Sequence, residues 1–181
     1  MLNKSAHPLP VYREATPQSW RCPLSAPVRL SQHLPEQHSH PDGEKLLAVL
    51  RPCNPEVATA LGLVEGATVI HLRMLRRIEG VPVSVINHYL TDASGWPLLQ
   101  QFSGGSLHQF MQQEMGMVLH HDQTRIAVRR AQAKESRLLE VSLHSPLLCV
   151  RTLNRCASGA TLAEYSVSLT RADMIELTVE N

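Results

Sequence analysis

The sequence predicts an α+β domain in which short antiparallel strands are interspersed with helices. Three observations lead to this prediction. Residues 69–90 form two alternating runs separated by Glu79-Gly80, a pattern typical of a β-hairpin. Two further segments carry helix start signals, at Asn54 and at Ser106. The remaining apolar runs are short and do not repeat, which favours one layered domain over a solenoid.

The composition is that of a globular domain with a mostly aliphatic core. The chain has 181 residues, 43% of them hydrophobic, but only two Trp, three Tyr and two Phe. A formal net charge of +1 gives no global electrostatic argument for a nucleic-acid or membrane partner. Its four cysteines lack paired spacing, and no secretory or membrane-length apolar segment is present. We therefore expect a cytoplasmic protein with reduced thiols.

The first half of the organised chain reads as strand, helix and hairpin. A strand is expected in residues 44–53. The helix that follows is capped by Asn54, has Pro55 at its first position and ends at Gly62. In the hairpin, alternation places Ile70, Leu72, Met74, Arg76 and Ile78 on one face.

The second half is expected to contain more helices and strands. A short helix is predicted at Trp96–Phe102, and a better one at Ser106–Met115, with Ser106 and Gln109 spaced as a capping box. The segment AQAKESRLLEV is predicted to be helical. The strands predicted here are 118–128, LLCVRTLNR, 161–169 and 174–179.

Arg76 is the position that most needs an explanation, because it shares its strand face with aliphatic residues. One alternative is structural: a buried pair with Glu164 or another carboxylate, or a side chain that reaches the sheet edge. The other is an anion site in which the guanidinium holds a carboxylate, phosphate or phosphonate. The amides of a helix N-terminus and the Ser106 hydroxyl would complete that site. The residues by themselves leave both open.

Other motifs give weaker indications. The ten histidines include three in one loop (His33, His38, His40) and the adjacent pair His120-His121, but none has metal-ligand spacing, so no metal site is expected. We find no motif for a nucleophile, a P-loop or a dinucleotide fold, and assign no catalytic residue. The basic segment RIAVRRAQAKESR lacks interleaved aromatics, so a solvated strand end and helix face is preferred over a nucleic-acid patch around Arg129.

Several blocks in order carry a resemblance to a known family: LRMLRRIEGVPVSVINHYL, GGSLHQFMQQEMGMVL, TRIAVRRAQAKES, SPLLCVRTLN and LAEYSVSLTRADMIELTVE. Together they resemble the UTRA domain, the effector-binding part of the HutC subfamily of GntR-type transcription regulators, over residues 20–181. Within the subfamily they look most like the regulators of phosphonate utilisation. The resemblance implies a chorismate-lyase-like fold around an antiparallel sheet, a non-catalytic small-molecule site, and no cofactor.

The resemblance also implies a set of ligand-binding residues. Arg76 matches the second arginine of the family's Arg-Leu-Arg clamp, Ser106 the serine that begins the pocket helix, and Glu164 an acidic residue on a late strand. Two members of the expected set depart from the pattern, since Met74 stands where the first arginine is usual and Thr170 replaces a common tyrosine. Ile86 also stands where sugar-binding members carry glutamate. The expected partner is a small anion, namely a phosphonate, a phosphate ester or a sugar phosphate. The departures argue against the sugar phosphate, whereas a smaller phosphonate or phosphate compound is compatible with one arginine, Ser106 and backbone amides, although the sequence does not select it.

The domain organisation implied is a flexible arm at residues 1–22 without a DNA-binding head, followed by the UTRA-type domain at residues 23–181. DNA would be bound only through a winged helix-turn-helix that the arm does not contain. The expected function is effector sensing in the control of phosphonate-uptake genes, as a homodimer or as a mixed dimer with a full-length regulator, without a membrane partner. The alternative is an enzyme of this fold that acts on a small carboxylate in the manner of a chorismate lyase, with Arg76 and Glu164 in its site.

Overall fold

The computed structural model describes residues 20–23, 42–157, 159 and 162–178, and its main feature is a six-stranded antiparallel sheet. In spatial order the strands are β2 (Asp42–Pro52), β3 (Thr68–Ile78), β4 (Val81–Leu90), β7 (Leu162–Arg171), β6 (Pro146–Cys156) and β5 (Leu119–Arg130). Two short strands, β1 (Trp20–Pro23) and β8 (Ile175–Thr178), form a separate parallel pair. The helices are α1 (Pro55–Leu61), α2 (Trp96–Gln101), α3 (Leu107–Met115) and α4 (Ala133–Leu139).

Helices pack on both faces of the sheet, which confirms the predicted α+β class. On one face, Ile70, Leu72 and Met74 of β3 pack against Leu99 of α2 and Met111 of α3. A second cluster places Leu139 of α4 against Leu75, Val85, Leu147 and Leu169, and a third contains the buried residues of α1. No helix among the described residues is long and apolar enough to span a membrane.

The hairpin forms where the alternation predicts it. Glu79 and Gly80 both have positive φ, 50° and 79°, which matches a tight turn between twisted antiparallel strands. One detail differs from the expected pattern. The register shifts between Arg76 and Arg77, and Ile78 packs in a separate cluster with Val83 and Ile175. The strand face that carries Arg76 therefore ends at about this residue, because the shift in strand pairing changes the direction in which the following side chains point.

The start of α3 is fixed against the edge strand β2. The Ser106 hydroxyl accepts a hydrogen bond from the Gln109 amide at 3.3 Å, so the predicted N-cap is present. Just before it, the Gly105 amide donates to the Gly43 carbonyl at 2.8 Å, and Gly104 bridges to Glu44. Gly43 is the cross-strand partner of Arg76. The loop that leads into α3 is thereby held beside the strand that carries Arg76.

The ends of the chain are only partly described. Residues 20–22 of the predicted arm belong to β1, while residues 1–19 and the loop histidines His33, His38 and His40 lie outside the described residues. The buried cysteines Cys53 and Cys149 are free thiols.

Gly43→Ala tests the contact between β2 and the loop before α3. A Cβ atom at Gly43 would collide with the Gly105 carbonyl oxygen, so either the strand or the loop must shift. We expect the free energy of unfolding, measured in urea, to fall by about 1–3 kcal/mol. Gln112→Ala on the exposed side of α3 is the control and should change it by less than about 0.5 kcal/mol. Equal stability of Gly43→Ala and the parent chain would contradict the close approach.

Candidate functional site

Polar side chains cluster on the sheet face that packs against α2 and α3. At one end of this face Arg76 of β3 lies opposite Ser84 of β4, which in turn lies opposite Thr170 of β7. Ser168, two residues before Thr170, is on the same face because strand side chains alternate. The sequence had offered Arg76 as a lone cation among aliphatic residues. In the folded chain its cross-strand partners are Gly43 on β2 and Ser84 on β4, and the hydroxyl residue Thr170 lies beyond Ser84 on β7.

The three hydroxyls form a closed hydrogen-bonded triangle. The Thr170 hydroxyl donates to the Ser84 oxygen at 2.9 Å, and the Ser84 and Ser168 oxygens are 2.7 Å apart. The third side joins Ser168 and Thr170 at 3.0 Å. Each hydroxyl has a single hydrogen, which can rotate out of the triangle and donate to an anion placed beside it.

The guanidinium of Arg76 has no hydrogen bond or ion pair with any residue that the structure describes, although the side chain is only partly exposed. Removal from water lowers the pKa of its guanidinium from the ordinary value, yet the group stays protonated at neutral pH because an arginine pKa starts so high. The buried pair with Glu164, one of the two alternatives left by the sequence, is not formed. Arg76 is therefore a cation whose donors are not used by any residue that the structure describes.

Glu164 is instead the acceptor at the centre of a buried polar network. Its carboxylate is completely buried, with Oε1 2.6 Å from Nδ1 of His88 and Oε2 2.8 Å from Nε2 of His108. The amide of Asn154 donates to Oε2 at 2.6 Å. These donors come from β4, α3 and β6, so the carboxylate of β7 links four elements. This arrangement satisfies a buried charge that would otherwise be very costly.

The charge state of the network follows from its geometry. Burial acts to raise the pKa of Glu164, but the charge of His108 and the hydrogen bonds from His108 and His88 outweigh it and hold the pKa well below its ordinary value. Burial lowers the pKa of His88, against the opposing effects of Glu164. We therefore treat Glu164 as ionised and His88 as neutral at neutral pH. Nδ1 of His88 then carries the proton that it donates to Glu164.

The structure brings most of the predicted site residues to one region. Thr170 and Arg76 are neighbours through Ser84, and Ser106 follows the loop held at Gly43, the partner of Arg76. Met74 lies on the same face but is buried in the apolar cluster with α2 and α3. Both carboxylate oxygens of Glu164 are hydrogen-bonded, one to His88 and the other to His108. The two histidines, rather than the carboxylate itself, therefore face this region.

Sequence reasoning missed His88, His108 and Asn154. A signal was present for His88, because alternation in β4 places it on the same face as Ser84, between Ile86 and Leu90. No local spacing connects His88 with His108 or Glu164, since they come from three separate elements.

Ligand atoms of these three residues lie within 4.8 Å of one another, and such a group can hold a metal ion. In the structure its carboxylate is hydrogen-bonded to both imidazoles.

The other candidate regions do not form a site. His120 and His121 are exposed, and His121 contacts Thr124 at 2.8 Å. In the basic segment Arg129 pairs with Glu135 at 3.1 Å. The rest of that segment is mostly exposed on β5 and α4, which fits the solvated strand end and helix face favoured by the sequence.

Comparison with known proteins points to one family. The sequence pattern of the UTRA domain matches residues 36–176. The chain is 57% identical over 159 residues to the probable transcriptional regulator PhnF of Escherichia coli (strain K12); the match covers 88% of this chain and 66% of that protein. An uncharacterised helix-turn-helix transcription regulator of Rhizobium meliloti (strain 1021) is 27% identical over 160 residues, 65% of its length. The chain thus spans about two thirds of the curated relatives it matches.

Solved structures show the same fold. The crystal structure of a PhnF C-terminal domain superposes with a TM-score of 0.77 at 51% identity, covering 92% of this chain and 98% of that one. PhnF from Mycobacterium smegmatis superposes equally well, with a TM-score of 0.77, at only 20% identity, over 90% of this chain and 72% of that one. At 20% identity the likeness concerns the fold alone.

Arg76→Met tests whether Arg76 has a structural role. If its guanidinium has no partner, replacing it with an apolar side chain of similar length removes an uncompensated desolvation cost. The ligand-free chain should then become more stable, by about 1 kcal/mol in urea unfolding. Arg73→Met is the matched control, because Arg73 donates to Asn87 at 2.9 Å, and it should lower stability. A loss of more than about 1 kcal/mol in Arg76→Met would reveal a structural partner.

The stability of the domain should depend on pH between about 7.5 and about 5.5. The ordinary histidine pKa of 6.5 applies to the unfolded chain, whereas burial lowers the folded-state pKa of His88 and His71. As the pH falls below 6.5, the unfolded chain therefore takes up protons before the folded chain does, and the free energy of unfolding decreases.

His88→Asn isolates the contribution of His88 to this dependence. An asparagine amide can replace Nδ1 as the donor to Glu164 but cannot be protonated. Urea unfolding over the same pH range should show a smaller decrease in the variant, with His71 still contributing. An identical decrease in both proteins would mean that the pKa of His88 does not differ between the folded and the unfolded chain.

Proposed function

Because the chain belongs to the UTRA domain family, we propose that it is an effector-sensing domain that binds a small phosphonate or phosphate-containing anion at Arg76. The relatives named above are transcription regulators rather than enzymes, which agrees with the expectation of a non-enzymatic domain. The observation that carries the proposal is a partly buried arginine that has no partner among the described residues.

The chemistry of this end of the sheet suits a tetrahedral anion. A guanidinium donates two parallel hydrogen bonds to phosphate or phosphonate oxygens and neutralises part of their charge. The Thr170 hydroxyl, within the triangle opposite Arg76, supplies a rotatable donor. Ser106 caps α3 with its oxygen, while its O–H can donate, and the amides at the start of α3 favour a negative charge nearby.

Apolar neighbours limit the size of the ligand we propose. Met74 and Ile86 pair across β3 and β4, and both are buried, so these two side chains offer no polar group for sugar hydroxyls. A phosphonate or a short phosphate ester leaves fewer polar atoms without partners than a sugar phosphate does. Glu164 acts in this proposal through His88 and His108, whose positions it fixes.

The regulatory part of the proposal concerns genes of phosphonate uptake and utilisation. It is supported by the sequence blocks that resemble regulators of that process, and by the 57% identity to PhnF of Escherichia coli. We propose that the domain works as a homodimer, or as a mixed dimer with a full-length regulator. Ligand binding would favour one arrangement of the dimer and thereby change the spacing of attached DNA-binding heads.

A thermal-shift screen tests ligand binding. The purified chain is heated with alkylphosphonates, phosphate esters, sugar phosphates or chorismate, each at about 1 mM. A ligand at 100 times its dissociation constant stabilises the folded state by about 2.7 kcal/mol. We expect a clear rise in Tm with a phosphonate or phosphate ester and no rise with chorismate.

Variants of neighbouring arginines make the screen specific. Arg76→Gln should abolish the ligand-dependent rise in Tm. Arg77→Gln should keep it, because Arg77 has partners of its own: it forms ion pairs with Glu44 and Glu140, each at 3.8 Å, and donates to the Gly80 carbonyl at 3.3 Å. An equal rise in the parent chain and in Arg76→Gln would show that the anion binds elsewhere. Turnover of chorismate would support the enzyme alternative.

A further inference from the structure

We propose that the ligand carries, in addition to its anionic group, a hydrogen-bond donor that binds Nε2 of His88. The donor is a hydroxyl or an ammonium group, so the ligand class is a short bifunctional phosphonate or phosphate ester. This inference rests on the proposed function and adds which chemical group the ligand carries at the end opposite its anionic group.

Nε2 of His88 is a buried polar atom that has no hydrogen-bond partner in the part of the chain that the structure describes. Among the described residues only one other buried side-chain atom shares this property, Nδ1 of His71, whose ring stacks on Tyr89 on the opposite face of the sheet. His88 is 5% exposed, so bulk water does not solvate the atom. Buried polar atoms are nearly always hydrogen-bonded, and an exception in a candidate site points to a missing partner.

The network around Glu164 determines what kind of partner is missing. Nδ1 of His88 is committed to Oε1 of Glu164, so the neutral ring presents a lone pair at Nε2. Glu164 cannot easily turn away to change this, because His108 and Asn154 hold its other oxygen. Nε2 is therefore an acceptor, and the group that satisfies it must be a donor. An alkyl group or a second anion would leave it unsatisfied.

His88 and Arg76 belong to the same face of the sheet. Ser84, the cross-strand partner of Arg76, is four residues from His88 on β4, about 13 Å along the strand. The positive charge of Arg76 is among the influences on His88, so the side chains are close enough to interact electrostatically. The apolar Ile86 lies between Ser84 and His88. A ligand that contacts both Arg76 and His88 therefore has an anionic group, a short apolar linker and a hydrogen-bond donor.

Calorimetric titration with matched probes tests the inference. The probes are 2-hydroxyethylphosphonate and 2-aminoethylphosphonate against propylphosphonate, which has the same number of chain atoms but no donor. Ethanolamine phosphate against propyl phosphate gives the same comparison for phosphate esters. The donor-bearing probe should bind about tenfold more tightly, because the alkyl probe leaves Nε2 buried and unsatisfied.

Two histidine variants connect this preference to Nε2. His88→Asn keeps an amide donor near Glu164 but lacks an atom at the position of Nε2, so the ratio of dissociation constants should fall to about one. His120→Asn makes the same substitution at an exposed histidine and should leave the ratio as in the parent chain. Circular dichroism and urea unfolding of each variant establish that it is folded.

The outcomes separate this inference from the proposed function. If alkyl and donor-bearing probes bind with equal affinity, the anion site stands and the inference about His88 is wrong. A preference that persists in His88→Asn also overturns it. Tight binding of zinc that is lost in His88→Asn and competes with the probes would assign Nε2 to a metal instead. If no probe binds, both the proposed function and this inference fail.

Discussion

The arrangement of the candidate site depends on one buried carboxylate. Glu164 is completely buried and ionised, and a charge in that position is tolerated only because three donors from three other elements reach it. The same hydrogen bonds that compensate the charge fix the His88 ring, attach α3 to the sheet through His108 and bring β6 into register through Asn154. The charge therefore specifies the geometry of the site more than it adds stability.

Arg76 presents the opposite case at the other end of the same face. It is a partly buried cation that pairs with no carboxylate of the described residues, although a carboxylate of the same sheet lies in the network at Glu164. A structure selected for stability alone would pair the two or replace Arg76 with an apolar residue. The separation of the two charges leaves Arg76 available for an anion. An unpaired charge of this kind lowers stability, and such conflicts between local chemistry and stability are expected at functional sites.

Sequence patterns predicted the elements well where the signal is local. Alternation predicted the hairpin, Asn54 and Ser106 predicted two helix starts, and the position of Arg76 on an apolar face singled out the residue that we propose binds the ligand. The network at Glu164 was not predicted, because its members are 10 to 76 residues from Glu164 in sequence and meet only through the order of strands in the sheet. The register shift after Arg76 likewise depends on strand pairing, which periodicity alone does not reveal.

The two nitrogens of His88 connect stability with sensing. Nδ1 belongs to the network that holds β4, β7 and α3 together, whereas Nε2 is left without a partner among the described residues. A ligand that supplies an anion to Arg76 and a donor to Nε2 would satisfy two groups that have no partner among the described residues. Binding would then act on the elements that the network joins, because His88 and the start of α3 belong both to the ligand site and to the support of Glu164. In this arrangement a small ligand stabilises one conformation of the sheet and α3, which is the physical requirement for an effector domain.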